Sequence, residues 1–453
     1  MTHPFQPQNI VVIGGEGFLG HNLVVALIKS YPNATIHSLD LVQRHFDSNQ
    51  LHRFIKADLT SLDSLVAAFE LSRPELVFHT AASWTGSPLE TCQSVNVQGT
   101  LNTIVACKKA NTSRLIYTSS AGVLYNGRDL INVDERLPVP KIGCDHYNIT
   151  KAQAEKIILE ANGKDSLLTC AIRPAGIFGP GDRQTIPSMI QVLKDGKHSI
   201  QIGRNRNLFD FTYVDNVVHA HILAAQKLDQ VVPISKFSTS ISPISKTTCP
   251  RTLFTSTSKT DGEDISSTTD DGELVELSSS DKLSDSEKPH NFPISWIEGR
   301  EDSIDQPTQA KRHRWDQWAS TSTSINRPDG LVPIAGEAFL ITNGEPIHFW
   351  DLARAIWHTY VRMSPSAQRL GLKAQPNVNI VIPAVLGMII AYIVEFLAKL
   401  RGKPAIFRPS TVRYTCAVKY HNIEKARVVL GYEPLIGISE GIKRSVEWYI
   451  STE

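Results

Sequence analysis

The chain has 453 residues, 41% of them apolar, which suffices for a large buried core and for two to three domains' worth of sequence. Its 46 Lys and Arg balance 45 Asp and Glu, and a net charge of +1 gives no electrostatic ground for a nucleic-acid partner. Six scattered cysteines without a C-x-x-C pair argue against a zinc site or a disulfide framework and fit a reducing compartment; no metal is expected.

The first residues lack the basic and apolar regions of a secretory signal. Residues 9–180 then alternate β-rich runs with helical patterns. Strands are predicted at Asn9–Gly15, Thr35–Asp40, Phe54–Leu59, Leu76–Ala81, Arg114–Ser120 and Leu167–Arg173, and a helix over Phe18–Ser30. Continuous apolar strands separated by helices predict an α/β fold, a Rossmann-type doubly wound parallel sheet covered on both faces.

Gly14-x-x-Gly17-x-x-Gly20 lies between the first strand and the first helix. Glycines there permit a tight turn, close approach of the backbone to a pyrophosphate and packing of helix on strand, while the helix N-terminus offers free N–H groups. The loop, Phe18 and Leu19 included, is expected to line a dinucleotide. Asp40 ends the second strand 20 residues after Gly20, where a carboxylate accepts both ribose hydroxyls of NAD and repels a 2′-phosphate. Arg44 softens that repulsion, so NADP stays open. Asp58 is read either as a contact for the adenine amino group or as the N-cap of a helix starting near Ser61. In His79-Thr-Ala-Ala-Ser83 the small residues, Ala81 among them, let the backbone approach the cofactor, and His79 reads as a packed core histidine.

Tyr147 and Lys151 stand at i and i+4, on one face of a helix. An ammonium one turn away, together with a positively charged nicotinamide, is expected to lower the phenol's pKa so that Tyr147 takes a proton from an alcohol. Ser120, at the carboxyl edge of the fifth strand, is placed to hydrogen-bond the reacting oxygen.

Beyond residue 230 the chain becomes rich in Ser and Thr and poor in large apolar residues. Residues 230–334 are read as a disordered insert, and its basic-aromatic cluster Arg312–Trp318 as a chance grouping rather than a contact. Order is predicted to return with a strand at Ala338–Thr342, a helix over His348–Arg362, and helices at Asn422–Leu430 and Gly437–Ser451. Ile380–Val394 is a charge-free run of 15 residues. As a helix it spans about 22 Å, short of a bilayer core. It is read as a hairpin or interfacial helix that docks on a membrane, with Arg401, Lys403 and Arg408 toward the headgroups, against the alternative of a buried helix.

The segments VVIGGEGFLG, HTAAS, VNVQGT, YTSSAGVLYNG, DHYNITKAQAE, RPAGIFGPGD, FDFTYVDNVVHAH and NIEKARVVLGYEP together resemble the extended short-chain dehydrogenases/reductases, and within them the 3β-hydroxysteroid dehydrogenase group. The likeness is greatest to the fungal branch that oxidises and decarboxylates sterol 4α-carboxylates, and it covers residues 9–229 and 335–450. The resemblance implies Tyr147 as acid/base, Lys151 as its activator and ribose ligand, and Ser120 as partner of the substrate oxygen. It further implies that Asn96 positions the cofactor, that Pro174 opens the loop beside the nicotinamide, and that Tyr213 and Asp215 belong to a segment closing over the substrate. It divides the chain into an NAD-binding core (1–180), a substrate-binding and C-terminal region sharing elements with it (181–229 and 335–453), and the insert.

The expected reaction is NAD-dependent oxidation of the 3β-hydroxyl of a sterol or triterpenoid 4α-carboxylate with loss of CO2. The alternatives are the same oxidation without decarboxylation, a nucleotide-sugar epimerase or dehydratase, and a non-catalytic dinucleotide-sensing scaffold. The implied location is the endoplasmic reticulum membrane, with a second copy or a sterol-demethylation complex as partner. The sequon at Asn148 lies inside the catalytic motif, so the folded part is expected to face the cytosol.

Overall fold

The computed structural model describes residues 5–45, 51–141, 143–233, 331–376, 379–402 and 407–453, with a short strand pair at 267–268 and 274–275. Seven strands form the central sheet: β1 (Asn9–Ile13), β2 (Thr35–Asp40), β3 (His52–Lys56), β4 (Leu76–His79), β5 (Arg114–Thr118), β6 (Leu168–Pro174) and β7 (Ala338–Ile341). Their spatial order is β7-β6-β5-β4-β1-β2-β3, and every pairing is parallel. The doubly wound sheet expected from the strand–helix alternation is present.

Alternation along each strand divides the core. Ile10 and Val12 enter a cluster with Phe78, Ile116 and Ile172, whereas Val11 and Ile13 enter a second with Val77, Leu115 and Tyr117. Helices α1 (Phe18–Ser30) and α5 (Val214–Lys227) cover the first face; α2 (Leu62–Ser72), α3 (Gly99–Lys109) and α4 (His146–Ala161) cover the second. With both faces apolar, the sheet leaves its carboxyl edge, where Ile13, His79 and Tyr117 stand in register, as the place to build a site.

Several boundaries differ from expectation. The first strand stops at Ile13 because Gly14 turns to φ +81°. The third begins at His52, paired with Ile36, and ends at Lys56, before the turn at Asp58. The fifth stops at Thr118, so that Ser120 caps the following turn rather than extending the strand.

The Ser/Thr-rich segment lies almost wholly outside the described residues, Arg312–Trp318 included. Its two ends are ordered, which narrows the expected 230–334 boundaries: Val231–Pro233 pairs antiparallel with Leu331–Pro333, and Val332 and Ile334 are fully buried. The insert thus leaves and re-enters at one place, and β7 docks beside β6 despite the long separation in sequence.

A smaller four-stranded sheet has the order Ile347–His348, Leu208–Phe209, Lys419–His421, Leu130–Val133. Helix α6 (Phe349–Met363) packs against α9 (Ile438–Thr452). The apolar run at 380–394 is two elements. Ile380–Ile382 is a strand paired with Ile200–Ile202, and Pro383 then opens α7 (Ala384–Leu400), which packs on α8 (Pro409–Cys416). The buried-helix alternative is excluded: α7 buries only Gly387 and Ala391, while Val385 is 74% and Leu400 69% exposed. Among the described residues no helix is long and apolar enough to cross a membrane.

Candidate active site

The glycine loop is built for close approach. A Cβ at Gly20 would fall 2.0 Å from the Gly14 carbonyl oxygen, and one at Gly14 would fall 2.8 Å from Cα of Ala81. Ala81 N donates to the Ile13 carbonyl at 3.0 Å, so the loops after β1 and β4 lie against each other. Helix α1 has Gly17 as its N-cap and no side-chain cap, which leaves first-turn N–H groups for an anion. Phe18 lies beside Gly181, but Leu19 is buried in the core, so its side chain packs the helix and only its backbone belongs to the loop.

Asp40 stands at the end of β2 and accepts from Glu16 N at 3.2 Å. Glu16, which sequence reasoning passed over, is buried. Its carboxylate accepts from Ser38 Oγ and from the backbone N–H groups of Arg44 and His45, each at 2.8 Å. These bonds outweigh burial and hold its pKa below the usual value. Glu16 therefore pins the loop after β2 and with it the position of Asp40. Asp58 does not cap α2. Ser61 does, while Asp58 turns back onto Thr60, accepting from its N at 2.8 Å and its Oγ1 at 2.7 Å. His79 is a core histidine, fully buried, 3.1 Å from Thr100 Oγ1 and pushed by burial down to about 3.

Asp145 caps α4 by accepting from Asn148 N at 2.8 Å, and the helix then presents Tyr147 and Lys151 one turn apart. The turn after β5 lies directly against it, since a Cβ at Gly122 would sit 2.2 Å from Asn148 Oδ1. Ser120 heads that turn, its Oγ accepting from Gly122 N at 3.0 Å, which leaves the hydroxyl hydrogen free to donate. Asn96, in a π-helical turn over Gln93–Gln98, is buried and donates to Ser83 Oγ and Thr150 Oγ1, both at 2.9 Å, while accepting from Ser83 N. It knots the loop after β4 to α4 next to Lys151. Pro174 closes β6, paired with Ile341 of β7.

Lys151 is buried. Its ammonium donates to the Thr118 carbonyl and lies 4.2 Å from the centre of the Tyr117 ring. Burial pushes its pKa down to about 7, with Glu155 opposing the shift. For Tyr147 the expected lowering combined the lysine with a nicotinamide charge that the chain by itself does not supply. With no cofactor bound, burial and then the Asp145 carboxylate push the phenol up to about 12. The lysine is turned to Thr118 and Tyr117, so the chain alone does not activate its tyrosine. Tyr213 is buried edge-to-face on Phe178 and against Gly441 of α9. Asp215 feels Arg444 and Lys29.

Sequence reasoning also missed Glu155, Arg173 and Lys419. The spacing Tyr147, Lys151, Glu155 places Glu155 one further turn along the same face, a signal available in the sequence. Lys419 offered none.

The sequence model of the 3-beta hydroxysteroid dehydrogenase/isomerase family matches residues 11–246. The chain is 33% identical to the decarboxylating sterol-4-alpha-carboxylate 3-dehydrogenase of Saccharomyces cerevisiae, with 97% of each chain covered. It is 33% identical to that of Schizosaccharomyces pombe, with 98% of each covered. Among solved structures it resembles a UDP-glucose 4-epimerase of Thermotoga maritima, TM-score 0.57 and 17% identity, over 98% of this chain and 99% of that one; this likeness speaks to the fold alone. The glycine loop, the Tyr147/Lys151 helix and near full-length identity to these relatives agree: the chain belongs to the 3-beta hydroxysteroid dehydrogenase/isomerase family.

Proposed function

We propose that the protein oxidises the 3β-hydroxyl of a sterol or triterpenoid 4α-carboxylate and releases CO2. The carrying observation is the convergence of Ser120, Tyr147 and Lys151 at the sheet edge beside a side-chain-free glycine cradle, in a chain so similar to sterol-4-alpha-carboxylate dehydrogenases. The cradle, the uncapped N-terminus of α1 and the carboxylate of Asp40 fit NAD: pyrophosphate over Gly14–Gly20 and ribose at Asp40. NAD, when bound, accepts hydride from the carbinol carbon and brings positive charge beside the phenol.

That charge supplies what the chain lacks, since burial and the Asp145 carboxylate hold Tyr147 near 12. Tyr147 takes the hydroxyl proton while Ser120 Oγ donates to the same oxygen. The resulting 3-ketone stands β to the carboxylate. The bond from C4 to the carboxyl carbon then breaks, and its electron pair forms the C3–C4 double bond of an enolate. CO2 departs, the charge rests on the 3-oxygen between Ser120 and Tyr147, and protonation at C4 restores the ketone.

The test is turnover of a 4α-carboxy-3β-hydroxysterol in detergent, following NADH and CO2 together. Equal yields, lost in Tyr147→Phe, support the proposal. NADH without CO2 would favour the simple dehydrogenase, and no turnover with NAD bound would refute the sterol reading.

We further infer that α7 lies in a membrane interface, on the cytosolic face of the endoplasmic reticulum. Ile389, Ile393 and Phe396 are more than half exposed on a helix of 17 residues. Its length of about 26 Å is short of a bilayer core, while an apolar face of this kind suits burial at the headgroup boundary. Arg401 follows the helix directly; Lys403 lies outside the described residues. Asn148 Nδ2 donates to Asp145 beside the catalytic Tyr147, where a glycan would obstruct the site, which favours the cytosolic side. Flotation with phosphatidylcholine/phosphatidylserine vesicles tests this: Ile389→Asp with Ile393→Asp should release the protein. Self-association without vesicle binding would instead make α7 a contact between copies.

A further inference from the structure

Lys419 is half-buried, and its ammonium makes no hydrogen bond or ion pair to any described residue. Its Nζ lies 4.3 Å from the centre of the Tyr125 ring, 5.0 Å from Tyr414 and 5.3 Å from Phe209. Rings of this kind stabilise a cation by their faces without neutralising it, and a desolvated cation gains most from an anion brought to it. Burial pushes Lys419 down to about 8, so an arriving anion would also hold its proton.

The box adjoins the catalytic elements. Tyr125 follows the turn that Ser120 heads. Cys144 and Asp145 face Lys419 from the start of α4, and Asp145 acts on both the Lys419 ammonium and the Tyr147 phenol. Asp129 and Arg413 act on Tyr125 as well. Tyr414 comes from α8, the helix on which the exposed apolar helix α7 rests. Aromatic rings and one charge thus lie together, and Asp145 links them to the Tyr147 phenol.

We propose that Lys419 receives the C4 carboxylate of the substrate and thereby selects carboxylated sterols over their neutral counterparts. The assignment rests on the sterol-4-carboxylate reading above. Lys419 is a specificity residue: it pairs with the carboxylate during binding and oxidation, and that partner leaves as CO2 once the charge has passed to the 3-oxygen.

The experiment compares kcat/KM, by NADH formation, for a 4α-carboxy-3β-hydroxysterol and for its methyl ester in the full-length enzyme. In Lys419→Met the ratio of acid to ester should fall by about 30-fold or more, mainly through KM, and Lys419→Arg should restore most of it. Because both substrates are read in one preparation, partial unfolding cancels; Lys419→Gln serves if the Met variant does not fold. A ratio unchanged within about twofold, with both rates falling together, would overturn the role of Lys419 alone. A wild-type enzyme that oxidises the ester but not the acid would overturn the substrate reading and this assignment with it.

Discussion

Arg173 grips Glu155 through a two-point ion pair, Nε to Oε2 at 2.8 Å and Nη2 to Oε1 at 2.6 Å, with both side chains buried. The pair rivets β6 to α4 one turn beyond Lys151. Burial alone would raise the Glu155 pKa, but the guanidinium outweighs it and the carboxyl titrates below its usual range.

Breaking the pair leaves a buried charge uncompensated, so Glu155→Gln should cost about 3–5 kcal/mol in urea unfolding. The folded-state pKa is depressed. The stabilisation is therefore full above the unfolded carboxyl pKa and lost as pH falls through the folded one. Glu155→Gln should flatten that acid limb of stability against pH; an unchanged limb would show that other carboxylates carry it.

Tyr147 is held protonated by its surroundings. Its phenolate absorbance should appear only near pH 12 in the protein alone and at clearly lower pH once NAD is added. Tyr147→Phe should abolish that component and lower kcat by about 10²- to 10⁴-fold with NAD binding retained. A phenol insensitive to NAD would contradict the activation described above.

Lys151 carries a cost of function. Its folded pKa of about 7 lies below the unfolded value of about 10.4. Between those values the unfolded chain binds more protons, so this group makes stability rise with pH. Lys151→Met should remove that rise, stabilise the cofactor-free protein at pH 6 and abolish turnover. Thermal unfolding across pH, paired with activity, checks both; a destabilised Met variant at pH 6 would count against it.

Asp40 stands where a 2′-phosphate would arrive. Asp40→Ser should raise the NADP-to-NAD ratio of kcat/KM at least about tenfold by removing a like charge. Glu16→Gln should loosen the loop through Arg44 and His45, weakening both cofactors without changing their ratio.

Local chemistry made much of this molecule readable in advance. Apolar strands separated by helical periodicity, glycines where no Cβ fits and a Tyr–Lys pair one turn apart are properties of short windows, and the central sheet and catalytic helix follow from them. Distance along the chain hid the rest. Strand β7 takes its place beside β6 across a long insert whose ends pair with each other. Lys419 joins Tyr125 and Phe209 from three remote segments, and Arg173 finds Glu155 across a strand–helix interface. The same is true of burial: the sequence marked 380–394 as apolar, but only packing decided that α7 stays exposed. Spacing likewise placed Lys151 near Tyr147, whereas folding turned its ammonium to Thr118 and left the phenol unactivated. Periodicity and turn chemistry are set by neighbours in sequence; electric field and solvent access are set by neighbours in space.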